Sequence, residues 1–331
     1  MKRQLFIASF LILFLSNPSL SFDINDLKFV NPAKVCKNCD LTSANLRGVN
    51  FTNGNFGGSD ISNSDFTGSF LSRVKLNNVL GEKTNFTGSD LHESDLSDSK
   101  FMNAIFFNAT LTNASFVNSD MSGSTISKVN SVGTNYSGAI LQKASMIQAN
   151  FTNSNFTKAD LSFAILNHSD FSSANFKESI VNNISAIGTN FSDLDLSSLD
   201  FTNSNLSNAK LRRVNLSNAN LYRTTLRSTT FFGSTLDRLN FSESLIEDTS
   251  MSSISIVNAK FNNTKITNVD FIGSDLTGAD FRGSLIVGVS FRDTNLTKAN
   301  FQDAVLLDVV TLGATFCQTA MEKGDINDSG C

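Results

Sequence analysis

The sequence predicts a solenoid, which is a rod built by stacking short structural repeats. An apolar residue occupies every fifth position from Leu41 to Phe316 without a change of register, and only four of these 56 central positions are exceptions. The residue two places earlier, called here the inner small position, is Ala, Ser, Thr, Val, Gly or Cys at 51 of the 56 repeats. A period of five matches neither a helix nor a strand. The repeat covers most of the 331 residues, which favours one elongated unit.

The exceptions to this pattern predict where the rod is irregular. The central exceptions are Gly81, Ser131, Ala186 and Thr311, and the oversized residues at inner small positions are Ile184, Leu194, Leu199, Leu239 and Ile254. We expect Ser131 and Ala186 to leave gaps in the core, although Ile184 beside Ala186 suggests an exchange of volume. Leu194 and Leu199 have no such compensation, so we predict distorted or bulged coils near residues 184–200.

The segment 1–21 is typical of a signal peptide. Lys2 and Arg3 precede an apolar stretch that ends at Leu15 and is too short to span a bilayer, and Ser21 completes a small-x-small cleavage site. We therefore expect an exported protein, either periplasmic or extracellular, or lumenal in a photosynthetic cell. Cleavage would change the net charge from −4 to −6, and an acidic rod is a poor candidate for binding nucleic acid.

The repeated motifs resemble those of the pentapeptide-repeat family. Each motif has a small residue, then Asp or Asn, then Leu or Phe, as in Ala44-Asn45-Leu46, Ser64-Asp65-Phe66, Ala159-Asp160-Leu161, Ala174-Asn175-Phe176, Ala219-Asn220-Leu221 and Ala279-Asp280-Phe281. The resemblance implies an all-β fold, a right-handed quadrilateral β-helix in which four pentads make one square coil. It implies about 14 coils with short terminal caps, and at about 4.8 Å per coil a rod of about 67 Å.

On that fold the chain divides into a signal peptide (1–21), an N-terminal cap (22–38), the β-helix (39–316) and a C-terminal cap or tail (317–331). The four cysteines then lie at the two ends of the rod. Since a disulfide requires Cα atoms within about 7 Å, the pairs are expected to be Cys36–Cys39 and Cys317–Cys331. A redox role or zinc binding by the first pair is a weaker alternative.

No residue pattern indicates catalysis or a bound cofactor or metal. His92 and His168 fall on different faces of the expected coil, about four coils apart, so they cannot share a mechanism. The segment from Asp325 to Gly330 imitates half of a calcium-binding loop but lacks the Glu that would complete it. We interpret it as a turn beside Cys331.

Two surfaces are candidates for binding a partner. The four faces are named by their first central residues, Leu41, Leu46, Phe51 and Phe56. Apolar residues occupy ten of the 28 positions that flank the central residues of the Leu46 face, but only two on the Phe56 face. The ten are Ile105, Phe107, Ile147, Ile165, Ile187, Leu245, Leu285, Val287, Val305 and Leu307. The first five form the candidate interaction face, whereas the C-terminal tail could cover the last four.

The second candidate is a basic belt that could hold phosphate or an acidic partner. It consists of Lys210, Arg212, Arg213, Arg223 and Arg227, with no acidic residue between Asp200 and Asp237. A solvated surface is the simpler interpretation.

Two functional hypotheses follow. The first is a non-catalytic exported rod that acts as a structural or protein-binding scaffold with an unidentified protein partner. The second comes from family members that resemble B-form DNA in shape and charge and protect type II topoisomerases in the cytoplasm. The signal segment, the basic belt and the lack of a dense acidic stripe argue against the second.

Overall fold

A computed structural model describes residues 34–331, and over this range the chain is a right-handed parallel β-solenoid with four faces per coil. The predicted signal peptide and most of the predicted N-terminal cap lie outside the described residues. Between residues 34 and 331 there is no helix with the length and apolar character needed to cross a membrane.

The coils are joined by a parallel ladder whose register is constant along the rod. The residue before each central position pairs with its equivalent four pentads later, from Val35 with Asn55 to Asn300 with Ala320. This register gives the predicted square coil, four pentads to a turn. The ladder extends about one pentad beyond the predicted limits of 39–316 at each end, because Cys36 is a buried central residue and Ala320 still pairs.

Within residues 34–331, strands of three residues form only on the Leu46 face. A five-stranded parallel sheet covers the last five coils of the Leu46 face, and a two-stranded antiparallel pair lies in the tail. The strands are β1 (Thr225–Arg227), β2 (Leu245–Glu247), β3 (Lys265–Thr267), β4 (Leu285–Val287), β5 (Val305–Leu307), β6 (Thr319–Ala320) and β7 (Ile326–Asn327). On the other faces the ladder consists of single bridges separated by turns.

Each pentad turns a corner through local hydrogen bonds that its sequence supplies. The backbone N–H of Ser62 donates to the Asp60 carboxylate (2.9 Å), and the next residue, Asn63, has a left-handed φ of 59°. Asn and Gly are common at this corner position because they tolerate that conformation. At the inner small position the Ser59 hydroxyl donates to the Cys36 carbonyl (2.7 Å), which ties one coil to the next.

The core is a continuous column of stacked central residues. Phe261, Phe281 and Phe301 lie one coil apart with ring centroids separated by 4.6 and 4.7 Å, and all three are buried. Inner small residues such as Ala279 are also buried and complete the column. Apolar burial along the whole rod is therefore the main source of its stability.

Ser131 does not leave the predicted gap, because a neighbouring central residue fills the space. The Tyr136 hydroxyl lies 2.9 Å from the Ser131 hydroxyl, which in turn donates to Thr134 (2.8 Å). Complete burial raises the pKa of Tyr136 above its ordinary value, so this hydroxyl stays protonated. The sequence could not show this, since the partners come from two different faces.

Gly81 is likewise compensated from the next coil. A Cβ atom built on Gly81 would lie 2.6 Å from two ring carbons of Phe101, its equivalent one coil later. The ring of Phe101 therefore occupies the volume that a central side chain would otherwise take. A glycine is needed here for space rather than for its backbone conformation.

Replacing Gly81 by Ala should destabilise the protein by about 1–3 kcal/mol, because the added methyl group overpacks the column. Denaturant unfolding would measure the loss. Gly68→Asn is the matched control, since Gly68 has a left-handed φ that Asn tolerates and no atom within 4 Å of an added Cβ. Equal stabilities for the two variants would contradict this packing.

The ladder opens most widely at the place here called the seam, between residues 173–181 and 192–200. Six backbone hydrogen bonds that the preceding coil makes are missing there among the described residues, together with the bridges from Asn175 to Asp195 and from Ile180 to Asp200. In the described part of the chain, four inter-coil backbone hydrogen bonds are also missing between 229–234 and 250–255, but the bridges from Thr230 to Ser250 and from Thr235 to Ser255 remain there. A cleft of about 510 Å³ lies at the seam. Its lining residues are Asn175, Phe176, Lys177, Glu178, Asp195, Ser197, Ser198 and Leu199.

The seam confirms the predicted effect of Leu194 and Leu199, and the ladder is undisturbed beside Ile184, where the sequence suggests an exchange of volume with Ala186. The coil that begins at Ile184 has oversized residues at three of its four inner small positions and one undersized central residue, Ala186. Ile184 and Ala186 exchange volume, and the ladder through Ser185 is intact. The two leucines have no such partner, so the coils separate, but the turns continue without a bulge.

The two ends are closed as predicted by the disulfides Cys36–Cys39 and Cys317–Cys331. The segment that imitates a calcium loop contains strand β7 and ends in a turn, in which the backbone N–H of Cys331 donates to the Asp328 carbonyl (3.1 Å). The Asp328 carboxylate accepts a hydrogen bond from the backbone N–H of Gln318 (2.7 Å). Asp328 lies near both sulfur atoms of the second disulfide, but oxidised cysteines offer no thiolate to a metal.

Candidate protein-interaction surface

The five residues of the candidate interaction face differ in their exposure to solvent. Ile105, Phe107 and Ile165 are each 38% exposed, while Ile147 and Ile187 are half-buried. All five lie on the Leu46 face, but they do not form one apolar stripe.

Polar groups interrupt this face at every second coil. The Lys128 ammonium lies 5.5 Å from the centroid of the Phe107 ring and covers part of it. Asn167, between Ile147 and Ile187, accepts hydrogen bonds from the Ile187 backbone N–H (2.9 Å) and from a serine hydroxyl (2.8 Å). Ile105 and Phe107 are thus separated from Ile147, Ile165 and Ile187 on the candidate interaction face.

A second group of exposed apolar residues lies around the edge between the Leu41 and Leu46 faces. Phe163 occupies the corner position of this edge and is 54% exposed. Ile165 follows it on the Leu46 face, and Ile140 and Ile180 lie on the Leu41 face, in the ladder positions one coil before and after Asp160. These four residues, all exposed, are called the corner patch. They lie within three adjacent coils, a height of about 10 Å.

Phe163 is unusual as a residue type at a corner, although its backbone conformation is the same as at the other corners. Its φ of 62° is left-handed, a conformation that costs most L-residues about 1–2 kcal/mol. The same corner holds Lys143 one coil earlier and Asn183 one coil later. A large aromatic side chain in this position gains little burial, so stability does not explain it.

Sequence reasoning identified Ile165 but missed the other three residues of the corner patch. It compared positions within one face, whereas the corner patch bends around an edge and joins two faces. It also counted only residues next to the central position, which excludes the corner. The available signal was a Phe where the repeat otherwise places mainly Asn, Gly, Asp, Lys or Ser.

Other exposed apolar residues outside the last coil are scattered. Phe70 and Leu80 lie near the N-terminal end on different faces, and Phe232 lies on the Phe51 face. The Arg212 guanidinium is 5.5 Å from the centroid of the Phe232 ring, which is still 68% exposed. Isolated apolar residues are ordinary on protein surfaces, so these do not define a site.

The five residues of the basic belt do not form one surface. Lys210, Arg212 and Arg213 lie on or beside the Phe51 face, while Arg223 and Arg227 lie at the corner before and on the flank of the Leu46 face. The interval without acidic residues in the sequence does not produce a positive surface, because the nearest charges in space are one coil away.

Three of the five cations of the basic belt pair with a carboxylate one coil away. Arg213 contacts Asp193 at 2.5 Å, Arg223 contacts Glu243 at 2.8 Å and Arg227 contacts Glu247 at 2.8 Å, each across one coil. The hydrogen bond from Arg213 lowers the pKa of Asp193, and that from Arg223 lowers the pKa of Glu243. These pairs neutralise most of the predicted positive potential.

The remaining charged and titratable residues are also dispersed. His92 lies on the flank of the Phe51 face, 3.3 Å from the Glu93 carboxylate, and His168 lies at the corner between the Leu46 and Phe51 faces. The aspartates on the Leu41 face do not form a continuous stripe, because Leu80, Lys100, Ile140 and Ile180 interrupt their row. The surface thus lacks the even negative charge of duplex DNA.

These features define a repeat solenoid with a filled core, and comparison with known families identifies its class. A family described as pentapeptide repeats (8 copies) matches overlapping segments from 39 to 208 and again at 274–306, and one described as a pentapeptide repeat region matches 205–281. The chain belongs to the pentapeptide-repeat family. No curated protein sequence matches it.

Solved structures of the same family are similar to this chain. HetL from the cyanobacterium Nostoc, involved in heterocyst differentiation regulation, is 19% identical over 86% of this chain and 94% of its own, with a TM-score of 0.19. A plasmid-mediated fluoroquinolone resistance protein is 20% identical over 61% and 93%, with a TM-score of 0.28. A protein of the Arabidopsis thaliana thylakoid lumen is 20% identical over 38% and 68%, with a TM-score of 0.20.

Proposed function

We propose that this protein is a non-catalytic rod that binds another protein through the corner patch. The observation that carries the proposal is Phe163, a half-exposed aromatic residue held in a left-handed conformation. Aromatic side chains at the centre of an apolar patch are typical anchors of protein interfaces. The rigid column beneath the corner patch would hold Phe163, Ile165, Ile140 and Ile180 in place before binding, which lowers the entropy cost of association.

We further propose that the rod works outside the cytoplasm. The disulfides at both ends suit an oxidising compartment, and the segment 1–21 has the pattern of an export signal. Sequencing the N-terminus of the protein recovered from the periplasm, medium or organelle lumen tests this proposal. A chain that begins near Phe22 would support it, and a chain retained in the cytoplasm with the segment 1–21 intact would contradict it.

Replacing Phe163 by Asn should remove partner binding without weakening the fold. Asn tolerates the left-handed corner, so we expect the free energy of unfolding to remain within about 1 kcal/mol of that of the wild type. Immobilised wild-type and Phe163→Asn proteins would be compared for capture of proteins from an extract of the same compartment, with quantitation by mass spectrometry. The proteins enriched by the wild type should fall at least about tenfold with the variant.

The matched control is Phe232→Ser, which removes a more exposed aromatic ring outside the corner patch and introduces the residue found one coil later, Ser252. This variant should capture the same proteins as the wild type. If Phe163→Asn also captures them undiminished, the corner patch is not the binding surface. If both variants lose them, exposed aromatic residues bind without specificity and the proposal fails.

A further inference from the structure

The C-terminal end of the rod has an unpaired sheet edge. Strand β5 pairs with β4 on one side and has no partner on the other within residues 34–331. In the coil before it, the backbone N–H of Gly288 donates to the Leu307 carbonyl (2.9 Å). The equivalent N–H of Asp308, the N–H of Leu306 and the Ala304 carbonyl make no backbone hydrogen bond along the outer edge. These two donors and one acceptor form a row of backbone groups that can pair with another strand.

The tail closes only part of this end. The backbone N–H groups of Phe301 and Asp303 donate to the carbonyls of Ala320 (2.7 Å) and Glu322 (3.0 Å), which covers the Leu41 face. The N–H of Gly330 donates to the Phe316 carbonyl (2.6 Å) and covers the Phe56 face. The alternative that the tail covers the end of the Leu46 face does not hold, because Val305 and Leu307 are half-exposed.

The uncovered edge strand carries apolar side chains, whereas most proteins protect the edges of their sheets. Val305 and Leu307 on β5 are half-exposed, and so are Val310 and Leu312 on the next face. Exposed edge strands are commonly protected by charged residues, Pro, a bulge or a covering segment. None of these devices occurs between residues 305 and 307, so this edge is suited to β-strand addition.

The charges around β5 indicate what kind of strand fits. Asp303 precedes β5 and Asp308 follows it, and neither takes part in an ion pair among the described residues. Two copies of this chain that paired antiparallel along β5 would bring four carboxylates together. A segment with cations at its ends would neutralise Asp303 and Asp308.

We propose that the outer edge of β5 binds an extended segment of a partner protein, with apolar residues at its centre and Lys or Arg at both ends. The backbone groups of the segment continue the sheet, and its apolar side chains cover Val305 and Leu307. This site lies about six coils, or about 30 Å, from the corner patch and does not depend on it.

The test uses two synthetic peptides with a short alternating Val and Thr centre, acetylated and amidated, with Lys at both ends in one and Glu at both ends in the other. Fluorescence polarisation would measure their binding to the full-length disulfide-bonded protein. The Lys peptide should bind at least about tenfold tighter than the Glu peptide at low salt, and this preference should decrease at high salt. The preference should fall below about twofold in Asp303→Asn/Asp308→Asn.

Two controls make the result specific. A Lys peptide with its central residues N-methylated should not bind, because it cannot complete the ladder. Phe163→Asn should bind the Lys peptide as well as the wild type, which separates this site from the corner patch. Equal binding of the Lys and Glu peptides, no binding of either, or dimers of the chain through β5 would each overturn the proposal.

Discussion

Replacing Phe281 by Ala should cost about 3–5 kcal/mol of unfolding free energy, the largest effect of any single substitution considered. The Phe281 ring stacks between Phe261 and Phe301 at 4.6 and 4.7 Å, and it is completely buried. Removing it leaves a cavity that the rigid walls of the coil cannot close. Chemical denaturation followed by circular dichroism would measure the loss.

Phe70→Ala is the matched control, because Phe70 carries the same side chain on the outside of the rod. It is 55% exposed, so its removal should change stability by less than about 1 kcal/mol. If the two variants were equally stable, the column would not be the source of stability. A loss at Phe70 as large as that at Phe281 would contradict the inward direction of the central residues.

The seam should be the point of the rod that opens first. The backbone N–H groups of Phe176 and Val181 have no backbone acceptor between residues 34 and 331, whereas those of Phe156 and Leu161, one coil earlier, donate to Asn175 (2.7 Å) and Ile180 (2.8 Å). Amide hydrogen exchange should therefore be at least about 100-fold faster at Phe176 and Val181, which corresponds to about 2.7 kcal/mol of local protection. Exchange followed by mass spectrometry would resolve the two segments.

The double variant Leu194→Ala/Leu199→Ser should close the seam. Both substitutions restore small residues, and the new hydroxyl at 199 could donate to the Phe176 carbonyl, as Ser244 does to the Leu221 carbonyl (2.6 Å). We expect exchange at Phe176 and Val181 to slow towards the rates at Phe156 and Leu161. Leu239→Ala is the control, because the ladder is already closed at Leu239. Slowing in the control, or unchanged exchange in the double variant, would show that the oversized leucines do not cause the seam.

Much of the fold could be predicted because one rule is repeated along the chain. The sequence of each pentad shows which residue points inward and which residue lies at the corner. The core column and the ladder then follow from the register of the repeat. The seam was also predictable, since Leu194 and Leu199 break the rule for size. The compensations at Ser131 and Gly81 were not, because Tyr136 and Phe101 reach these spaces from another face and another coil.

The candidate sites were harder to predict because surfaces depend on neighbours that lie one coil away. The basic belt looked continuous in sequence, but Arg213 and Arg223 meet Asp193 and Glu243 across a coil. The corner patch looked absent because Phe163 lies between two faces. The sequence therefore identified what is inside the rod better than what is presented on its surface.

The central claim is that equivalent residues four pentads apart lie side by side in adjacent coils. It is tested most directly by introducing cysteines at a predicted ladder pair, Thr235→Cys with Ser255→Cys, whose backbones pair in the structure. Their separation of about 4.8 Å falls within the range of a disulfide, so mild oxidation should join them. Thr235→Cys with Lys260→Cys places the second cysteine one pentad further along, on another face, and this pair should stay reduced. Cross-linking of this second pair, with none between 235 and 255, would contradict the coil of four pentads.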